Sequence, residues 1–358
     1  MSQSFDEINA SEMRASRTHP ESTIAQLQKL LIGGEKRYTL AELAEQAQVT
    51  EQVAADFWRA MGFADTHPDQ RIFTNEDVAA LVDAQQLLAS KVIDESTLIS
   101  MLRAHSYISD RLALWQVEAL VEDRARRLAL DDTSARLVML DHMRMVQPLL
   151  EKQTIYAMRR HLYSLLERTD AEYARRGRDE YAPNRYPLRR SLGFVDMVSY
   201  TSTSARLGPM ALARLIKKFE YLARDVITSR GARIVKNIGD AVFYIADDLQ
   251  TAADVVCALV ERFNASEDIL PVRASLVEGY VVSRSGDVFG PPVNLASRLV
   301  DSAPQGGVCL DAQTAQAIEA AGWGEEYYLR EIEPLPMQGL GIVERYLLNR
   351  RNTITPSV

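Results

Sequence analysis

Hydrophobic and polar positions recur with two different periods along this chain. From Arg189 onward, short apolar runs of strand length alternate with longer stretches that repeat every three to four residues. Leu192-Gly-Phe-Val-Asp-Met-Val reads as a strand, and Ser204 to Ser229 predicts a helix. Arg233 to Tyr244 holds two β-branched and aromatic runs joined through Asn237-Ile238-Gly239. That is a hairpin signature, because glycine supplies the backbone freedom of a tight reversal. Leu249 to Asn264 predicts a helix and Val272 to Ser283 a strand. Gly290-Pro291-Pro292 then opens another helix, proline being favoured at the first helical position. Strands near Val308 and Tyr327 and from Ile342 to Leu347 complete the pattern. The order β-α-β-β-α-β predicts a ferredoxin-like core with one sheet face covered by helices, and the fold class is α+β.

Before Arg189 the periods are helical throughout. Residues 1–20 are polar and uncapped and predict a mobile tail. A helix from Ser22 to Ile32 stops at Gly33-Gly34. From Glu76 to about Arg136, Val78, Leu81 and Val82, then Leu98, Met101 and Leu102, recur at three- and four-residue intervals and read as core. An apolar ligand among them is conceivable, and nothing in the pattern supports it. Leu137 to Arg176 predicts one or two long helices, with Pro148 as a kink or break. Ile155, Met158, Leu162, Leu165 and Leu166 form an apolar stripe there, as on a helix packed against a partner. Arg175 to Pro187 is polar and punctuated by Gly and Pro, a linker. The expected organisation is therefore a tail at 1–20, an all-α domain at 21–140, a connecting helix and linker at 141–186, and the α+β domain at 187–358.

The chain has 358 residues, 47% of them hydrophobic, enough for about two or three domains with buried cores. No run approaches the roughly 18 apolar residues that span a bilayer, and Met1-Ser-Gln-Ser-Phe-Asp is unlike a secretory leader, so a cytoplasmic protein with no membrane partner is expected. Cys257 and Cys309 have no CxxC spacing and read as buried small hydrophobes in a reducing compartment. Tyr38 to Thr50, Glu51 to Met61 and Arg71 to Val78 resemble the winged helix-turn-helix of MerR-type regulators. Charge opposes the implied DNA binding: between Tyr38 and Ser90 there are two basic residues, Arg59 and Arg71, against nine acidic ones. Such a segment is repelled by phosphates, so no nucleic-acid partner is expected.

Charge matters differently in the α+β half. Asp196 sits near the end of its strand, Lys236 and Asp240 flank the hairpin turn, and Asp287 precedes the Gly-Pro-Pro break. Asn294 and Arg298, four apart, share one helix face. Taken singly these are ordinary surface groups. Together and in this order, Phe194-Val-Asp196, Arg233 to Tyr244 and Asp287 to Arg298 resemble the catalytic domain of class III nucleotidyl cyclases, and more narrowly the adenylyl cyclases, over about residues 187–348. The resemblance implies that Asp196 and Asp240 hold two divalent ions, Mg²⁺ or Mn²⁺, that Lys236 and Asp287 read adenine, and that Asn294 and Arg298 stabilise the transition state. It implies ATP as substrate, cyclic AMP and pyrophosphate as products, and a homodimer with its sites at the interface. The chemistry fits those residue types. The ribose 3′-hydroxyl is a poor nucleophile at neutral pH, two metal ions lower its pKa and neutralise the leaving oxygens, and fixed cationic charge meets the developing negative charge. N-H groups leading into a helix after Asp196 suit a triphosphate. Adenine offers an N6 donor and an N1 acceptor, matched by Asp287 and Lys236; guanine reverses that pattern.

One position departs from the family. Where many members carry a basic residue before a glycine in the C-terminal strands, this chain has Met337-Gln338-Gly339, with Arg330 or Arg345 as candidate substitutes. A catalytically weak domain serving as a nucleotide-binding or transcription-regulatory module is the alternative reading. A diguanylate cyclase is opposed by the absence of a G-G-D/E-E-F signature. The helical module and connecting helix are similar to those of actinobacterial soluble adenylyl cyclases, which implies an autoinhibitory, pH-responsive N-terminal domain. All five histidines precede the catalytic half. Histidine titrates near pH 6.5 in its ordinary state, so His142 and His161, on the connecting helix, are the candidate sensors.

Overall fold

A computed structural model describes residues 23–176, 188–266 and 268–351. The chain divides into two compact units, Met1–Glu180 and Tyr181–Val358. The expected tail at 1–20 and most of the expected linker lie outside the described residues.

The first unit is helical: α1 (Thr23–Leu31), α2 (Leu40–Gln46), α3 (Glu51–Ala60), α4 (Asn75–Ala89), α5 (Glu95–Leu128) and α6 (Asp132–Arg176). Its starts are fixed by side-chain caps. Thr39 and Glu42 form a reciprocal capping box on α2, Thr50 accepts from Val53 N–H on α3, and Asp94 accepts from Thr97 N–H on α5. Leu43, Phe73 and Leu81 are the centre of a small core around α2, α3 and α4, where Tyr38 and Phe73 make an isolated bridge. Helices α5 and α6 form a hairpin that reverses at Ala129, which is left-handed at φ 52°, and Val121, Ala135 and Met139 are buried between them. Of the one or two helices expected around Pro148 the structure has one, with no break at the proline. Losing a backbone bond to proline costs about 3 kcal/mol, and α6 absorbs it within 45 residues of continuous helix. No helix among the described residues is long and apolar enough to cross a membrane.

The second unit is built on β1 (Leu188–Met197), α7 (Tyr200–Ser204), α8 (Pro209–Ser229), β2 (Arg233–Ile238), β3 (Ala241–Ala246), α9 (Leu249–Asn264), β4 (Val272–Arg284), β5 (Asp287–Phe289), α10 (Pro291–Ser302), β6 (Val308–Asp311), α11 (Ala312–Ala320), β7 (Tyr327–Met337) and β8 (Gly341–Arg350). The sheet runs β2-β3-β1-β4-β6-β8-β7, with β5 paired to β4. Each of its first four strands is antiparallel to its neighbours, the ferredoxin-like arrangement expected; β6 adds parallel to β4, and β8 and β7 follow antiparallel.

Strand alternation sorts the core into two layers. Val195, Met197, Val242, Tyr244, Ala274 and Leu276 face α8, α9 and α11. Leu192, Phe194, Phe243, Ile245 and Val277 face the other way, against α10 through Ala296, Leu299 and Val300. Helices therefore cover both faces, not one. Leu299 and its buried neighbours give α10 an apolar side that has to meet a sheet. Sequence and structure also differ at Ser204 to Ser229: the expected helix starts later, at Pro209, which takes the first helical position of α8 after Gly208, and Ser204 instead ends the separate short α7. Gly193 is demanded by packing, since a Cβ there collides with Ser275 O, which accepts the buried Tyr244 hydroxyl at 3.2 Å. Burial pushes the Cys257 thiol up to about 12 and the Cys309 thiol up to about 11, so both are inert packing groups.

Candidate active site

The end of β1 and the β2-β3 turn are stitched together by backbone. Asp196 lies opposite Ala241 in the antiparallel pair, and Met197 N–H donates to Asp240 O at 3.1 Å. Gly239, at φ 60°, makes the reversal that brings Asp240 there. The charge of Asp240 is felt at Asp196, so the two carboxylates are electrostatic neighbours.

Alternation turns Asp196 towards the α10 side of the sheet, where it meets a residue the sequence reading did not single out. Arg273, directly opposite on β4, donates Nε and Nη2 to Asp196 Oδ2 at 2.9 and 2.8 Å. Its Nη1 donates to Asp301 O at 2.6 Å, in the last turn of α10. Burial pushes the Asp196 carboxyl upward, Arg273 pulls it down, and the neighbouring carboxylates Asp240 and Asp301 raise it again; the net displacement is upward. The available signal was a single arginine in an otherwise apolar strand, Pro271-Val-Arg-Ala-Ser-Leu-Val277: a charge in a central strand requires a partner.

A second pair forms one strand further out. Lys236 Nζ donates to Asp287 Oδ2 at 2.5 Å, joining β2 to β5 across 51 residues of sequence. A register shift between Ile234 and Lys236 accompanies the placement of Lys236, and Val288 N–H donates to Asp287 Oδ1 at 2.8 Å. Burial works to raise the Asp287 carboxyl, but the bonds from Lys236 and Val288 outweigh it and hold the group below its ordinary value.

Asn294 and Arg298 are elsewhere. Both are exposed on α10, about 40° apart around its axis and roughly opposite the buried Ala296, Leu299 and Val300. Among the described residues, no hydrogen bond or ion pair joins either to Asp196, Asp240, Lys236 or Asp287. Of the candidate substitutes for the basic residue before Gly339, Arg345 is buried and donates to Glu333 O at 2.7 Å and Ser302 O at 3.1 Å, so it is a structural group and that expectation fails. Arg330 is exposed on β7. After Asp196, Val198 N–H is taken by Pro271 O, and Ser199, left-handed at φ 63°, leads into the five-residue α7. Its first-turn N–H groups have no partner within the helix, as at any helix start. The two candidate histidines belong to the helical unit. His142 is half-buried, with Nδ1 2.7 Å from Val138 O, while His161 is exposed roughly 28 Å further along α6.

The donor set suits hard divalent cations. Among the described residues no cluster of three or more His, Cys, Asp or Glu could enclose a metal. Two adjacent carboxylates on a sheet end are what Mg²⁺ or Mn²⁺ takes when the remaining ligands are phosphate and water oxygens.

Comparison with known proteins identifies the family. Residues 189–350 match the adenylate and guanylate cyclase catalytic domain family. Over 336 residues the chain is 35% identical to an adenylate cyclase of Glutamicibacter nicotianae, covering 91% of this chain and 82% of that one. An adenylate cyclase of Streptomyces coelicolor is 34% identical over 349 residues, with 91% and 89% covered. A pH-sensitive adenylate cyclase of Mycobacterium tuberculosis is 26% identical over 356 residues, with 98% and 87% covered. The chain belongs to the class III nucleotidyl cyclases, in the group of actinobacterial adenylate cyclases.

Proposed function

We propose that this chain converts ATP to 3′,5′-cyclic AMP and pyrophosphate, as a homodimer whose sites are completed across the interface and whose rate is set by its N-terminal unit. The observation that carries the reading is the contact between Lys236 and Asp287. A cation that donates and a carboxylate that accepts lie side by side, matching N1 and N6 of adenine and mismatching O6 and N1–H of guanine.

In this reading Asp196 and Asp240 hold two divalent ions, with Arg273 fixing the rotamer of Asp196. Bound there, the ions lower the pKa of the ribose 3′-hydroxyl and neutralise charge on the triphosphate. Asn294 orients the ribose and Arg298 meets negative charge as it grows on the α-phosphorus oxygens. The hydroxyl attacks phosphorus in line, its proton leaves to solvent, and the bond to the pyrophosphate oxygen breaks. Asn294 and Arg298 point away from their own sheet, which supports a second copy presenting them to the Asp196 and Asp240 of the first. Control by pH is supported by the name of the Mycobacterium tuberculosis relative and by the location of all histidines before the catalytic half.

The test is purified protein with Mn²⁺ and either ATP or GTP. Cyclic AMP is expected from ATP, with GTP turned over far more slowly. Cyclic GMP formed as fast as cyclic AMP would sink the assignment of Lys236 and Asp287.

A further inference from the structure

Strand β2 is an edge of the sheet, and its pairing with β3 is not continuous. Ile234 lies opposite Tyr244 and Lys236 opposite Phe243, so Val235 is an extra residue, a bulge. Residues directly opposite in an antiparallel pair share a face. Tyr244 belongs to the layer that meets α8 and α9, and Phe243 to the layer that meets α10. Ile234 therefore faces α8, Val235 and Lys236 both face α10, and Asn237, opposite Val242, faces α8 again. Strict alternation from Ile234 would turn Lys236 to the α8 side, away from Asp287. The bulge is what aims Lys236 at its partner.

An edge strand has backbone bonds to the sheet on one side only, so its side chains weigh heavily in where a bulge sits. On the α8 side, Asn237 Nδ2 donates to Glu220 Oε1 at 3.0 Å, tying the residue after Lys236 to the middle of that helix. A slip of the stretch Lys236 to Ile238 by one residue against β3 would exchange the two faces, so Asn237 would leave Glu220 as Lys236 leaves Asp287. We propose that Asn237 and Glu220 are positioning residues for base recognition: their hydrogen bond holds β2 in the bulged register and, with it, Lys236 against the base. The inference rests on the assignment of Lys236 and Asp287 to adenine. Neither Asn237 nor Glu220 lies on the α10 side of the sheet, where Lys236 meets Asp287. Asp240 is secured separately, its carbonyl accepting from Met197 N–H, so a loosened β2 costs base choice before it costs metal.

Asn237→Leu and Glu220→Leu in the full-length protein each remove the bond. Each should lower kcat/KM for ATP about 3- to 10-fold, chiefly through KM, and leave the slower turnover of GTP unchanged, so that the preference for ATP narrows by the same factor. The double variant should lose no more than either single one, because both remove the same bond. Glu220→Gln, whose amide oxygen still accepts, should recover most of what Glu220→Leu loses. Amide hydrogen exchange over Arg233–Ile238 should quicken in both leucine variants, with β1 unchanged. ATP and GTP turnover that fall together, single losses that multiply in the double variant, or parental exchange with parental ATP preference each overturn the proposal. Lys236→Glu in the same assay separates the two claims. If it leaves the preference for ATP intact, the adenine assignment fails and exchange over β2 alone decides the register bond; if it abolishes the preference while both leucine variants keep it, the register bond fails and the assignment stands.

Discussion

If α10 of one copy completes the site of the other, two dead enzymes should make a live one. Asp240→Ala removes a carboxylate from the β2-β3 turn and Arg298→Ala removes the cation from the outward face of α10. Each homodimer then has two defective sites, and loss of a preorganised charge in the transition state costs roughly 100-fold or more. Mixed one to one and allowed to exchange freely, half of the dimers contain one chain of each kind. Each mixed dimer has one site with both defects and one with neither. Activity should therefore return to about a quarter of that of the unmutated enzyme at equal chain concentration. Cyclic AMP is measured before and after exchange, and mixed dimers are quantified by capturing one tagged chain and weighing the other. No recovery despite abundant mixed dimers would mean that Asn294 and Arg298 act on their own chain, against the direction of the exposed face of α10. Recovery well above a quarter would mean that the two sites do not share parts in this way.

Lys236→Glu leaves adenine N1 and Asp287 without a donor, so kcat/KM for ATP should fall by about 1 to 3 kcal/mol, roughly 5- to 150-fold, with Mn²⁺ affinity unchanged; an equal loss in both moves Lys236 into the metal site. Asp287 is held below its ordinary value, so the ion pair with Lys236 contributes stability that is fully present above the unfolded carboxyl range and is lost as pH falls through the depressed value. Lys236→Met should thus cost about 0.5 kcal/mol at pH 6 and nothing near pH 2, and a gap that widens in acid refutes the assignment. Arg273→Met strips the cation from a mostly buried carboxylate and should lower stability by about 3 kcal/mol, partly restored in Arg273→Lys; a urea midpoint within error of the parent would show that Asp196 does not depend on it. The pH profiles of the full chain and of a chain starting near Pro183 should diverge, because metal and substrate titrate alike in both. Superimposed profiles with equal absolute rates would exclude the N-terminal unit as sensor and as restraint.

Most of the α+β unit was legible because its signals are local. A hairpin needs a glycine where Gly239 stands, a helix after Gly290 needs its prolines, and strand alternation separates Phe194 from Val195 without any knowledge of neighbours. Other features depend on context. Pro209, not singled out in the sequence, starts a helix after Gly208, while Pro148 lies inside the continuous α6, so of the two alternatives open there the chain takes the single helix. Arg345 had the right charge for a phosphate contact, but β8 turns it inward onto the carbonyls of Ser302 and Glu333.

Arg273 shows where reading the chain alone stops. Its partner lies 77 residues away, and only the register of β1 against β4, with Asp196 facing Arg273, makes them a pair. Register is set by the whole sheet, since a slip of one residue turns every side chain to the opposite face. The same holds for Lys236 and Asp287, which were legible as residues but not as a contact. Asn294 and Arg298 carry the argument one step further. Their four-residue spacing puts them on one helix face, and it leaves open on which molecule they would act. The opposite side of the same helix bears on that, because Ala296, Leu299 and Val300 are buried there. Because those three take the sheet of their own chain, the polar pair faces outward, and the support for the proposed second copy comes from where the hydrophobic residues of α10 go rather than from the spacing of the polar pair.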